Sequence, residues 1–189
     1  MTGALTGGDV YEQARTIADA YPQIPFPNGW KADLDGIDPN LSYPAEWQRA
    51  REIKFAEGYT SPAPRDYVGE APLAARESRA VYDFTNAHNF HLTISWHTQG
   101  EVIYWQFLQI RPPMAESIGT SFAETSGYEL AETPYASSFA GYKDWFLQQF
   151  QRPSYTVEAG RGENPLPLEQ FQKIYEDNLG IFALGLCLA

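Results

Sequence analysis

Between residues 22 and 72 the chain carries eight of its fourteen prolines, at 22, 25, 27, 39, 44, 62, 64 and 72, with glycines at 29, 36, 58 and 69. Proline lacks an amide hydrogen and fixes its own φ, so this density cannot continue a long helix or a central strand. The segment therefore reads as irregular surface chain, with room for one short helix from Ala45 to Phe55. Long irregular stretches in a compact domain are often functional. Upstream of it, Val10, Ala14, Ile17, Ala18 and Tyr21 fall at helical spacing after Asp9, an expected N-cap, and the run stops before Pro22.

Beyond residue 72 the pattern changes. A helix is expected from Ala74 to Ala87, burying Val81 and Phe84, and Phe90–Trp96 reads as a buried strand. A second strand is expected over Val102–Phe107, a helix over Met114–Ser126 with Met114, Ile118 and Phe122 four apart, and another helix over Tyr142–Phe150. Pro153–Val157 reads as a short strand, and Leu168–Leu186 closes the chain as an amphipathic helix. Helices alternating with strands imply an α/β fold with a mixed central sheet flanked by helices. Because nothing before residue 74 reads as strand, that sheet is expected to lack its N-terminal strands.

The length of 189 residues and 43% hydrophobic content suit one core, so a single domain over residues 1–189 is expected. A net charge of -11 argues against nucleic acid, which needs a basic footprint. The longest apolar run, Ile181–Ala189, falls short of the roughly 20 residues that span a bilayer. Met1–Asp9 has neither the basic start nor the apolar core of an export signal, so a cytoplasmic location is expected unless a signal lies upstream. The lone Cys187 cannot form an intramolecular disulfide and reads as a small core side chain.

Two residues stand where chemistry is commonly placed. His97 follows the first strand and precedes Gly100, and Glu158 follows the last strand where Ala159, Gly160 and Gly162 begin. Both thus fall at strand C-terminal ends, the usual location of sites in α/β sheets. Taken alone, such a histidine is more often hydrogen-bonded structure than a metal ligand. Together, two such strand ends point to one shared cleft.

The residues also carry a resemblance. Ser95-Trp96-His97-Thr98-Gln99-Gly100 after Asn89-Phe90, and later Tyr155-Thr156-Val157-Glu158, resemble the zinc carboxypeptidase family in order and spacing. The segments His97–Trp105 and Glu158–Pro167 are most similar to the bacterial γ-D-glutamyl-diaminopimelate peptidases, which cut cell-wall muropeptides. The likeness runs from about residue 28 to the end, as the C-terminal part of the family's domain. It implies that His97 is a zinc ligand and that Glu158 is the general base for the zinc-bound water, whose pKa such a site lowers to about 7.

The resemblance reaches three further positions. Tyr135 matches a mobile-loop tyrosine that covers substrate, with a one-residue gap. Lys31 falls near an arginine that stabilises the oxyanion, a role a cation can fill with less directional geometry. Asn40 lies in the loop whose Asn-Arg pair holds a terminal carboxylate, and Leu41 stands where that arginine would be. Recognition of a free C-terminus is therefore not expected.

The family's other two ligands come from an upstream His-x-x-Glu, and no histidine precedes His88 here. His88 and His91 flank the start of the strand, roughly 18 Å or more from His97 if extended. Gly100 breaks any helix that would align His97 with Glu101. One imidazole does not retain zinc, so little zinc affinity and little peptidase activity are expected of the chain as it stands. Either a longer gene product or a real truncation would account for this. The alternatives are a catalytically inactive remnant that binds muropeptides, and a glycosidase using Glu101 and Glu158.

Overall fold

The computed structural model describes residues 8–188, with six α-helices, four strands and three short 3-10 turns among them. Among the described residues, those up to His88, together with Phe139–Gly141, form one compact unit; Asn89–Ser138 and those from Tyr142 onward form a second.

The first unit contains helices α1 (Asp9–Ala18), α2 (Trp47–Ala56) and α3 (Arg76–Asn86), and no strand among its described residues. Gly8, with φ of 88°, caps α1, and Asp9 is instead its first residue, where with Glu12 it complements the positive end of the helix dipole. Helix α1 buries Ala14 and Ala18 against Trp30 and Ala32. A second cluster gathers Tyr21, Ala63 and Tyr67, with Ile24, Ile37, Phe55 and Tyr59 around them. The proline-rich chain is held by local bonds. Asp33 accepts the amides of Asp35 and Ile37, and Asp38 accepts those of Asn40 and Asp66.

Helix α3 corrects an expectation. Its buried residues are Ser78 and Thr85, whereas Val81 and Phe84 are 45% and 55% exposed. The Ser78 hydroxyl donates to the Pro39 carbonyl at 2.6 Å, so a polar contact chooses the inward face and the apolar pair points away.

The second unit is a four-stranded mixed sheet in the order β1-β4-β2-β3, formed by β1 (Thr93–His97), β2 (Val102–Tyr104), β3 (Glu129–Ala131) and β4 (Ser154–Glu158). Strand β4 runs parallel to β1 and antiparallel to β2, and β2 runs parallel to β3. Helices α4 (Ala115–Ser126) and α6 (Phe171–Leu188) enclose the main core with Ile103, Phe122, Tyr155, Val157 and Ile181. Helix α5 (Tyr142–Phe150) packs on β1 and β4. Buried Tyr155 donates to the Ala115 carbonyl at 2.7 Å, satisfying the one polar atom it brings into the core. Where α4 crosses α6, a Cβ at Gly180 would lie 2.0 Å from Thr125 Cγ2, so a larger residue there would require the threonine side chain to move.

The mixed α/β architecture is as the sequence implies, with differences in detail. Strand β1 begins at Thr93 rather than Phe90 and is half-buried, with Trp96 43% exposed, because it is an edge strand of this sheet. Strand β2 ends at Tyr104, and Phe107 falls outside it, in an isolated bridge to Ile110. Met114 is a left-handed residue ahead of α4 and is 67% exposed, while Ile118 and Phe122 point inward. Leu168–Gln170 is a 3-10 turn that precedes α6. Cys187 is exposed on the last turn of α6 rather than in the core.

Candidate functional site

Strands β1 and β4 are parallel and in register, so His97 lies directly opposite Glu158. Side chains alternate along a strand, and the Thr93–Ser154 hydroxyl bond of 2.7 Å fixes which residues share the polar face. Thr93, Ser95 and His97 of β1 stand on that face with Ser154, Thr156 and Glu158 of β4. Tyr155 and Val157 point the other way, into the core. The two sequence-predicted groups are thus brought together, both half-buried, at the C-terminal ends of adjacent strands.

The backbone locks this juncture. The Ala159 amide donates to the His97 carbonyl and the Gly100 amide to the Gly160 carbonyl, both at 2.8 Å. Thr98 donates to the Asn164 side chain, which donates back to the Thr98 carbonyl. Gln170 holds both the amide and the carbonyl of Arg161. Glu101 pairs with Arg161 at 2.7 Å and with Lys173 at 3.4 Å, tying the turn after β1 to the loop after β4 and to α6. Gly100, at φ of 151°, sits where a Cβ would approach Glu158 Cβ to 3.7 Å. Nearby, the Tyr104 phenol is pushed above its ordinary pKa by burial, and further by the negative charges of Glu158 and Glu129.

The other predicted positions belong to other segments. Tyr135 is 59% exposed and opens a 3-10 turn, Tyr135–Ser137, in the second unit. Lys31 and Asn40 both belong to the first unit and are exposed. The Lys31 amide donates to Pro64, and its charge favours the ionised form of Asp38. Asn40 sits in the 3-10 turn Pro39–Leu41, its amide bonded to Asp38.

A zinc site needs three or four donors converging on one point. Among the described residues no group of three His, Cys, Asp or Glu side chains could hold a metal. His97 and Glu158 do not by themselves fit that requirement.

The sequence reading missed an apolar groove of about 710 Å³ beside this juncture. It is lined by Trp96, Phe171, Tyr175, Leu179 and Phe182, and it reaches His97. Its signal was present as a second helical stripe in the last helix, where Phe171, Tyr175, Leu179, Phe182 and Leu186 recur at spacings of three and four.

The fold is that of the carboxypeptidases. It matches carboxypeptidase A of Helicoverpa armigera with a TM-score of 0.61 at 17% identity, over 80% of this chain and 41% of that one. It also matches the murein-tripeptide amidase MpaA of Escherichia coli O157 with a TM-score of 0.51 at 17% identity, over 83% of this chain and 59% of that one. Residues 15–180 match the zinc carboxypeptidase family, and the chain belongs to it. In sequence it is similar to gamma-D-glutamyl-L-diamino acid endopeptidase 1 of Lysinibacillus sphaericus, 47% identical over 85% of this chain and 39% of that protein. It is 37% identical to the uncharacterized protein YqgT of Bacillus subtilis over 82% of this chain and 40% of that protein, so it spans about two fifths of the length of these relatives. No helix among the described residues is long and apolar enough to cross a membrane.

Proposed function

We propose that this chain carries the general-base portion of a zinc-dependent peptidase that hydrolyses peptide bonds in muropeptides of the γ-D-glutamyl-diaminopimelate type. The observation that carries the proposal is the register pair His97 and Glu158, an imidazole and a carboxyl side chain on residues opposite each other at two parallel strand ends. In this reading Glu158 accepts the proton of the water that attacks the peptide carbonyl, and His97 is one zinc ligand. Tyr135 closes over substrate, Lys31 offers a positive charge to the developing oxyanion, and Asn40 contributes a polar contact to the substrate. The endopeptidase name of the Lysinibacillus relative supports the substrate class. The substrate is bound from solution, with neither nucleic acid nor a membrane as partner, and the cytoplasm is the proposed location.

The chain alone is expected to hold little zinc and to turn over little substrate. Purified chain is incubated with zinc, and bound metal is measured after gel filtration. In parallel, a γ-D-glutamyl-diaminopimelate peptide is assayed for cleavage by a longer form that carries the family's upstream His-x-x-Glu, with and without the Glu158→Gln substitution. Equimolar zinc in the chain alone would overturn the expected deficit, and cleavage unchanged in Glu158→Gln would remove the role given to that carboxylate.

The lack of a three-donor group among the described residues favours one other reading, a remnant that binds muropeptides without cutting them. Muropeptide binding that survives chelator, without hydrolysis, is its signature.

A further inference from the structure

The strand order gives Glu158 two neighbours: it stands opposite His97 on β1 and opposite Val102 on β2, with β4 between them. Residues 98–101, which join β1 to β2, therefore arch across the end of β4 and span two strand spacings, about 9.6 Å. The chain leaving β4 runs past this arch and is bonded to it. The Ala159 amide reaches back to the His97 carbonyl, and the Gly100 amide reaches out to the Gly160 carbonyl.

Glu101 closes the arch. Its backbone holds φ of 52°, a left-handed conformation that a glutamate adopts at a cost and that glycine takes freely. A glutamate kept in that conformation points to a use for its side chain. The carboxylate is only 14% exposed, and each of its oxygens faces a different cation, Arg161 Nε at 2.7 Å and Lys173 Nζ at 3.4 Å. Both cations are themselves anchored. Gln170 brackets the backbone of Arg161, and Asp177 pairs with Lys173 one turn along α6. The Glu101 carbonyl meanwhile accepts the Glu129 amide at the start of β3. A carboxylate engaged on both oxygens acts as a strut between segments, which argues against pairing it with Glu158 as a second reacting acid.

We propose that Glu101 is a positioning residue for the candidate site: its carboxylate, clamped between Arg161 and Lys173, holds the arch against the loop after β4 and so fixes where the Glu158 side chain stands relative to His97. The role rests on the peptidase reading, in which Glu158 accepts a proton from water, and it requires no contact between Glu101 and the substrate. A general base works only within hydrogen-bond reach of the proton it takes, and a misplacement of about 1 Å can cost ~100-fold in rate. Turnover should therefore depend on the clamp, whereas substrate affinity should not.

Two preparations test it. In the chain as it stands, Glu101→Gln should speed hydrogen exchange at the Gly100 and Ala159 amides by about tenfold, with exchange in α4 unchanged. In the longer form that carries the family's upstream His-x-x-Glu, Glu101→Gln should lower kcat on a γ-D-glutamyl-diaminopimelate peptide by about 10- to 100-fold and leave KM within about twofold. Metal content and unfolding midpoint should stay as they are. Arg161→Gln should reproduce the loss, and the double variant Glu101→Gln, Arg161→Gln should add little to it. Lys173→Gln should do less, because its contact is the longer one. Unchanged exchange or unchanged kcat overturns the inference, and so does full additivity of the two single variants. A raised KM with kcat preserved would place Glu101 on the substrate, and a kcat loss that tracks metal content or unfolding midpoint would make its role merely structural; either result overturns the positioning role. If the unsubstituted longer form cuts nothing, the peptidase reading fails by itself, and the exchange result decides whether the clamp holds the two segments together.

Discussion

The two units order their chain by different means. In the second, a ladder of paired strands carries three helices and the core is closed by large side chains such as Phe122, Tyr155 and Ile181. The first has no strand among its described residues, and buried carboxylates do much of the work of a ladder by accepting backbone amides: Asp33 takes two and Asp38 takes two. Where proline prevents regular pairing, side-chain acceptors substitute for carbonyls. Stability in the second unit should thus respond to volume, and in the first to charge and pH.

The largest expected effect is in the sheet unit. Phe122 is fully buried, with its ring centroid 5.0 Å from that of Tyr155. Phe122→Ala should cost about 3–5 kcal/mol, measured by urea unfolding, with faster hydrogen exchange concentrated in residues 89–138. Buried Lys143 tests the same unit through charge. Its Nζ donates to the Gln106 carbonyl at 2.7 Å and pairs with buried Asp144. Lys143→Met removes this buried cation beside a buried carboxylate and should cost about 3 kcal/mol, and a partial recovery in Lys143→Met, Asp144→Leu would show that the unbalanced charge is the cause.

In the first unit the corresponding change is smaller. Asp38→Ala leaves the Asn40 and Asp66 amides without their acceptor and should cost about 1–3 kcal/mol, read by thermal unfolding. The pH response is sharper. Burial pushes the Asp66 carboxyl up, but hydrogen bonds and charge from Arg65 and Lys54 outweigh it and hold the group below the ordinary carboxylate range. A lowered folded-state value means that the stabilisation is present above the unfolded pKa, near ~4, and is lost as pH falls through the folded value. Asp66→Asn should therefore be less stable than wild type at neutral pH by about 1 kcal/mol, with the gap closing on acidification. A gap that widens in acid would reverse the sign of the argument. Cys187→Ser marks the floor, within about 0.5 kcal/mol of wild type, since the thiol is exposed.

The sequence carried some elements more plainly than others, and the reasons are physical. The strand ends at His97 and Glu158 were legible because each closes a strand-like run and precedes glycines, while their juxtaposition comes from the pairing of β1 with β4. Strand β3 was not, being three residues long with Glu129 at its start and held by pairing to β2. Nor was the inward face of α3, since Ser78 reaches a carbonyl thirty-nine residues away and periodicity sees only apolar positions. Cys187 misled for a similar reason: an apolar neighbourhood in sequence became an exposed helix end. The stripe on α6 was visible as spacing, but a single-face reading of amphipathic helices assigned all of it to one core.

Trp96 has an optical consequence. The chain has five tryptophans. Trp30, Trp47, Trp105 and Trp145 are buried, and Trp96 alone is exposed, on the strand that ends at His97. A small neutral quencher such as acrylamide should therefore extinguish one emitter and spare four, and the quenchable fraction of the fluorescence becomes a built-in gauge of whether that edge of the sheet is open.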